Sequence, residues 1–167
     1  HGIAEFCDAA TRVRAKAPSA QFRLALRPPD SGHPLSDEAL DSYARHLDVI
    51  PAPADIRPFL ESCHVFVYPS HGEGFAHPVV EALAVGRPAI TTTAAGCRET
   101  IDERVSGVLV APGDPLGLAT AMESFLRRPD LMAWMSDASR QKAERRFDAR
   151  RLDEEVIRVM QLEGART

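Results

Sequence analysis

The chain is predicted to form an α/β domain, a doubly wound parallel sheet with a helical C-terminal segment. Three observations carry this expectation. Short apolar runs alternate with segments of helical period, an order that implies right-handed crossovers and parallel strands. Runs such as Val65 to Tyr68 are apolar at nearly every position, as strands covered on both faces require. The 167 residues hold neither an internal repeat nor a low-complexity linker, so one core of ordinary size accounts for the length, residues 1–167 forming a single domain.

The elements follow in order. Ile3, Phe6, Ala10, Val13 and Ala17 recur at helical spacing, and Pro18 closes that helix. Gln21 to Leu26 reads as a strand and Arg27 to Pro34 as a loop. Ser36 is placed to N-cap a short helix reaching about His46. Leu47 to Ile50 forms a short strand. Asp55 then caps a helix through Ser62, with Pro58 in the first turn, where a missing N–H costs nothing. Val65 to Tyr68 is the next strand, Pro78 to Val85 a helix, and Gly86 its C′ residue. Pro88 to Thr93 is a strand, Gly96 to Ile101 a helical turn, and Val108 to Val110 a last short strand. Three helices close the chain. Asp114 caps one that starts at Pro115; Pro129 starts another with Leu131, Met135 and Ala138 on one side; Asp148 starts the third, with Leu152, Val156 and Met160 four apart.

Composition excludes several classes. With 20 Lys and Arg against 24 Asp and Glu, the net charge of -4 argues against a nucleic-acid binder. No apolar stretch approaches the roughly 20 residues that cross a bilayer. Cys7, Cys63 and Cys97 are odd in number and widely spaced. They fit neither a disulfide framework nor a zinc site, which points to reduced thiols in a cytoplasm. Arg140, Lys142, Arg145, Arg146, Arg150 and Arg151 are interleaved with Glu144 and Asp148 and read as solvated helix faces. Trp134, beside the Met135 stripe, reads as core or rim packing.

The stretch that carries chemistry is Glu73-Gly-Phe-Ala-His-Pro-Val-Val-Glu81, which directly follows the apolar run ending at Pro69. A buried strand, a glycine-bearing turn and a helix opening at Pro78 are expected there, proline being preset for the first helical position. The backbone amides of Gly74, Phe75, Ala76 and His77 then face out of a turn that feeds the positive end of a helix dipole, which suits a phosphate. A carboxylate at each end fits a ligand with hydroxyls on both sides of its anionic centre. A sugar nucleotide has that pattern: sugar hydroxyls, a diphosphate, ribose hydroxyls. His71 and His77 are the nearby titratable groups, and an isolated histidine in a turn is more often a hydrogen-bonding loop residue than an acid–base catalyst.

These motifs resemble the C-terminal, donor-binding half of a GT-B glycosyltransferase, specifically the retaining glycosyltransferase family 4. The matching text is Val65 to Ser70, Glu73 to Phe75, Glu81 to Pro88, Thr91 to Glu99 and Gly107 to Asp114. The resemblance implies a Rossmann-like domain and a division of labour. Glu73 is the catalytic-site residue, binding donor-sugar hydroxyls near the reacting carbon; the amides of Gly74, Phe75 and Ala76 hold the diphosphate; Glu81 grips the ribose; His77 and Arg98 complete the donor-binding set. It implies a nucleotide sugar, UDP-linked in preference, as substrate and no metal or other cofactor. The acceptor is a glycan or a lipid-linked glycan, in the cytoplasm or at the inner face of the membrane. The acceptor-binding N-terminal domain would lie outside these residues, so the chain is expected to be inactive alone.

Four features depart from that family's pattern. His1 stands where a lysine is expected, the strand carrying a partner arginine is absent, and Arg27 and Pro51 stand where glycines end two strands. A non-catalytic nucleotide-binding or docking module of the same fold is therefore the alternative reading.

Overall fold

The computed structural model describes residues 2–26, 36–72 and 74–148. Helices and strands alternate as predicted: α1 (Ile3–Lys16), β1 (Arg23–Leu26), α2 (Asp37–Ala44), β2 (Asp48–Pro51), α3 (Arg57–Glu61), β3 (Phe66–Tyr68), α4 (His77–Ala84), β4 (Ala89–Thr92) and β5 (Gly107–Val110), then α5 (Pro115–Arg127) and α6 (Pro129–Arg146). The loop from Arg27 and the helix expected beyond Asp148 lie outside the described residues, as does Glu73.

Every ladder is parallel, but the strands form two sheets. One pairs β1 with β2, from Arg23 opposite Asp48 to Leu26 opposite Pro51. The other runs β3-β4-β5, with Val67 opposite Ile90 and Ile90 opposite Val108. A doubly wound sheet has the order 3-2-1-4-5-6. The pair β2-β1 and the trio β3-β4-β5 match the two flanks of its first strand. The fold is a Rossmann-like α/β architecture with a helical C-terminal part, and helices cover the sheets as parallel strands demand.

The core is divided in the same way. α1 packs on α5, burying Phe6, Ala10 and Val13 with Leu118, Met122 and Phe125. Leu24 and Val49 of the first sheet and Val67 and Val108 of the second pack against this cluster, so it joins the two sheets. A second cluster sets Val79 and Leu83 of α4 against Ala89, Cys97, Ile101 and Ala143. β4 is buried along its whole length, whereas β3 is half-buried as an outer strand of its sheet. Each fully buried side chain such as Leu83 or Ile90 contributes about 1.5–3 kcal/mol.

Local chemistry sets the element ends. Gly86 has φ 70° and closes α4, with the Gly86 amide donating to Leu83 O at 2.9 Å and Arg87 N to Ala82 O at 2.8 Å. That is a Schellman stop, as the glycine at C′ predicts. Asp114 caps α5, its carboxylate accepting from Gly117 N at 2.8 Å. Asp114→Ala is expected to cost about 1 kcal/mol, read as a lower urea midpoint; an unchanged midpoint would remove the cap from the account.

Several local expectations are corrected. α4 starts at His77, so Pro78 is its second residue. The N-cap of α3 is Ile56, and Asp55 instead accepts from the amide of Arg57 at 3.0 Å and pairs with its guanidinium at 2.8 Å. Residues 96–101 form successive turns without a helix, because the Arg98 amide reaches Ala94 O while the Thr100 amide reaches Cys97 O only three residues back. Lys142 is not on a solvated face: its side chain is 8% exposed and its ammonium meets Asp102 at 2.6 Å. Of the core or rim packing expected for Trp134, its 52% exposure leaves the rim.

Candidate functional site

The segment 69–77 leaves the C-terminal end of β3 and enters α4. In a parallel sheet this is the edge where ligand crevices lie. Its start is held from below. Ser70 is buried, its carbonyl accepts from Thr92 Oγ1 at 2.6 Å, and its hydroxyl accepts from the Gly72 amide at 3.2 Å. Thr91 Oγ1 donates to Tyr68 O at 2.9 Å. Buried hydroxyls must find partners, and here the partners are the last carbonyl of β3 and one at the start of the segment that follows it. The polar run Thr91-Thr92-Thr93 at the end of an apolar strand was the available signal for this support.

Two glycines hold the segment from the sides. Gly2, at the N-cap of α1, lies so close to Pro69 that an added Cβ would fall 1.9 Å from Pro69 O. Gly96 lies against the other end, where a Cβ would fall 1.8 Å from Gly74 O. Neither close approach has a signal in the sequence, since the partners are far apart along the chain. One turn into α1, Glu5 meets His71 Nε2 at 2.8 Å, so His71 serves as a hydrogen-bonding loop residue.

The four amides expected to face a phosphate divide into two pairs. Ala76 N already donates to Gly96 O at 3.0 Å, and His77 N to Phe75 O at 2.9 Å. In α4 itself Pro78 has no N–H, and the Val79 and Val80 amides both reach Ala76 O. Those of Gly74 and Phe75 have no partner among the described residues. Gly74 is exposed with φ 84°, and nothing lies within 4 Å of a Cβ built there. Among the described residues the free donors of this segment are therefore at the tip of the turn, before the helix rather than in it.

Glu81 is exposed one turn beyond His77 on α4. It lines a groove of about 410 Å³ with Asp55, Arg57, Ala84, Val85 and Arg140. Arg98 is exposed and held by Glu99 at 2.8 Å. Glu99 accepts from the Gly96 amide at 2.8 Å as well. The Arg98 guanidinium and these amide contacts hold the Glu99 carboxyl below the usual glutamate range. Glu99 thus fixes the loop against which the turn rests. Among the described residues no helix is long and apolar enough to cross a membrane.

Residues 1–128 match the family described as "Glycosyl transferases group 1". The chain belongs to this family. Among its relatives is the N,N'-diacetylbacillosaminyl-diphospho-undecaprenol alpha-1,3-N-acetylgalactosaminyltransferase of Campylobacter jejuni, 30% identical over 93% of this chain and 39% of that protein. Another is the capsular polysaccharide biosynthesis glycosyltransferase CapM of Staphylococcus aureus, 31% identical over 59% of this chain and 26% of the relative. The chain thus spans well under half the length of these two relatives. Solved structures share the fold. A glycosyltransferase from Rickettsia africae superposes with a TM-score of 0.82 at 16% identity, over 99% of this chain and 45% of that one. HepE of Anabaena, solved with UDP and glucose, gives 0.78 at 19% identity, over 92% and 44%. The C-terminal domain of the group 1 family protein LpcC from Francisella tularensis gives 0.76 at 20% identity, over 89% and 80%.

Proposed function

We propose that this chain is the donor-binding, C-terminal half of a retaining GT-B glycosyltransferase of family 4, which takes a UDP-sugar and serves a glycan or lipid-linked acceptor in the cytoplasm. The observation that carries this reading is the pair of amides at Gly74 and Phe75 that have no partner among the described residues, on a turn clamped by Gly2 and Gly96, in a chain of glycosyltransferase kin. The UDP bound by HepE and the diphospho-undecaprenol in the Campylobacter relative's name support the choice of donor and acceptor classes.

In this reading the diphosphate sits at the tip of the turn. The Gly74 and Phe75 amides and the N-terminal end of α4 meet the charge that develops on the leaving phosphate, a stabilisation that needs no metal ion. Ala76 and His77 hold the shape of the turn. Glu81 takes the ribose hydroxyls, Glu73 the hydroxyls of the sugar, and Arg98 lies at the donor's edge. Acceptor binding belongs to an N-terminal domain, so this chain alone binds donor and transfers nothing.

Titration with UDP-glucose followed by backbone amide NMR tests this. Shifts are expected at residues 72–81; shifts confined to other surfaces would leave the docking-module reading. Glu81→Ala is expected to remove one or two hydrogen bonds of about 1 kcal/mol each, weakening UDP about 5- to 30-fold. Affinity equal to the parent would take Glu81 out of the site.

A further inference from the structure

We propose that Phe147 is a positioning residue for the donor turn, acting through Phe75; this rests on the reading of Gly74 and Phe75 as phosphate donors. Phe75 occupies the tip of the turn and its ring is 45% exposed, so burial alone does not fix it. The residue before it is a glycine in the left-handed region with open space outside. Two aromatic contacts hold the ring instead. His77 lies 5.1 Å away at 74°, and Phe147 lies 5.7 Å away at 64°, both edge to face, the arrangement favoured by ring quadrupoles.

These contacts differ in kind. His77 is only two residues further along the same segment, as the first residue of α4. Phe147 follows α6, a separate element, and its amide donates to Ala143 O at 2.9 Å. Ala143 is buried in the cluster that contains Ala76, Val79 and Leu83. α6 is itself tied to the 102–106 loop by Lys142, whose ammonium meets Asp102 at 2.6 Å. The Phe147 ring is therefore the fixed point outside the turn against which Phe75 rests. Its position sets the direction of the Phe75 amide, which has no partner among the described residues.

The test uses the full chain and two measurements on Phe147→Leu, Phe147→Ala, Phe147→Tyr, Phe75→Ala and the double variant with alanine at both positions. UDP-glucose affinity, taken well below the unfolding temperature, is expected to fall about 3- to 10-fold in Phe147→Leu, which keeps apolar volume and loses the ring. Phe147→Tyr restores it, and Phe147→Ala adds nothing in the Phe75→Ala background. Hydrogen exchange without ligand is expected to speed up at the Ala76 amide, which donates to Gly96 O, while the β4 amides stay protected. Parent-like affinity and exchange in Phe147→Leu would overturn the proposal, as would an affinity loss that persists without Phe75. A parent chain that does not bind UDP-glucose would sink the donor reading, and the exchange measurement would still decide the role of Phe147.

Discussion

Gly96→Ala is expected to abolish donor binding while leaving a folded but weakened protein. The added Cβ would lie 1.8 Å from Gly74 O and 2.4 Å from Gly74 C, both backbone atoms that no rotamer change can move aside. Gly96 also has φ +81°, where a side chain costs about 1–2 kcal/mol. Its carbonyl holds the Ala76 amide and its own amide is held by Glu99, so the strain cannot relax by moving Gly96 alone. The turn must shift, and with it the Gly74 and Phe75 amides. Loss of two hydrogen bonds to a charged phosphate lowers affinity by about 100-fold or more. Stability is expected to fall by about 2–4 kcal/mol, from backbone strain and overpacking together. Calorimetric titration with UDP-glucose and urea unfolding check both. Parent-like binding would mean that the 94–97 loop does not hold the turn.

The order of elements was legible because strand and helix periods differ, and Gly86, Asp114, Pro115 and Pro129 mark helix ends by chemistry that acts locally. The division into two sheets was not legible. Apolar runs report that a strand is buried, and carry no record of which strand lies beside it. The site shows the same split. Glu73 to Glu81 stands out because its glycine, proline and carboxylates are adjacent in sequence, and Gly74, Phe75, Ala76, His77 and Glu81 do fall on one turn and the helix it enters. What holds that turn comes from elsewhere: Gly2, Thr92, Gly96 and Phe147, on four other segments. Only geometry shows that Ala76 and His77 spend their amides inside the protein. Lys142 was misread for a related reason, since its partner Asp102 lies on a distant loop and an alternating charge pattern normally marks solvent.

Gly2→Ala should cost a similar amount of stability, with a much smaller loss of donor affinity. Gly2 is buried, has φ +73°, and its Cβ would lie 1.9 Å from Pro69 O and 2.7 Å from Pro69 C. Its carbonyl also accepts from Phe6 N at 3.0 Å, the first bond of α1. Relief therefore requires α1 to move away from the end of β3. That movement pulls Phe6, Ala9, Ala10 and Val13 out of their fit against α5 and separates Glu5 from His71. Left-handed strain and lost packing sum to about 2–4 kcal/mol. The tip of the donor turn is spared in part, because Thr92 and Ser70 hold the start of the segment from β4 and Gly96 holds its end. The two alanine variants thus separate the supports of one loop: at a similar cost in stability, binding is lost when the β4 side is disturbed and largely kept when the α1 side is. Urea midpoints and UDP-glucose affinities measured on both variants give the comparison. A Gly2→Ala chain within about 0.5 kcal/mol of the parent would show that α1 does not rest on Pro69.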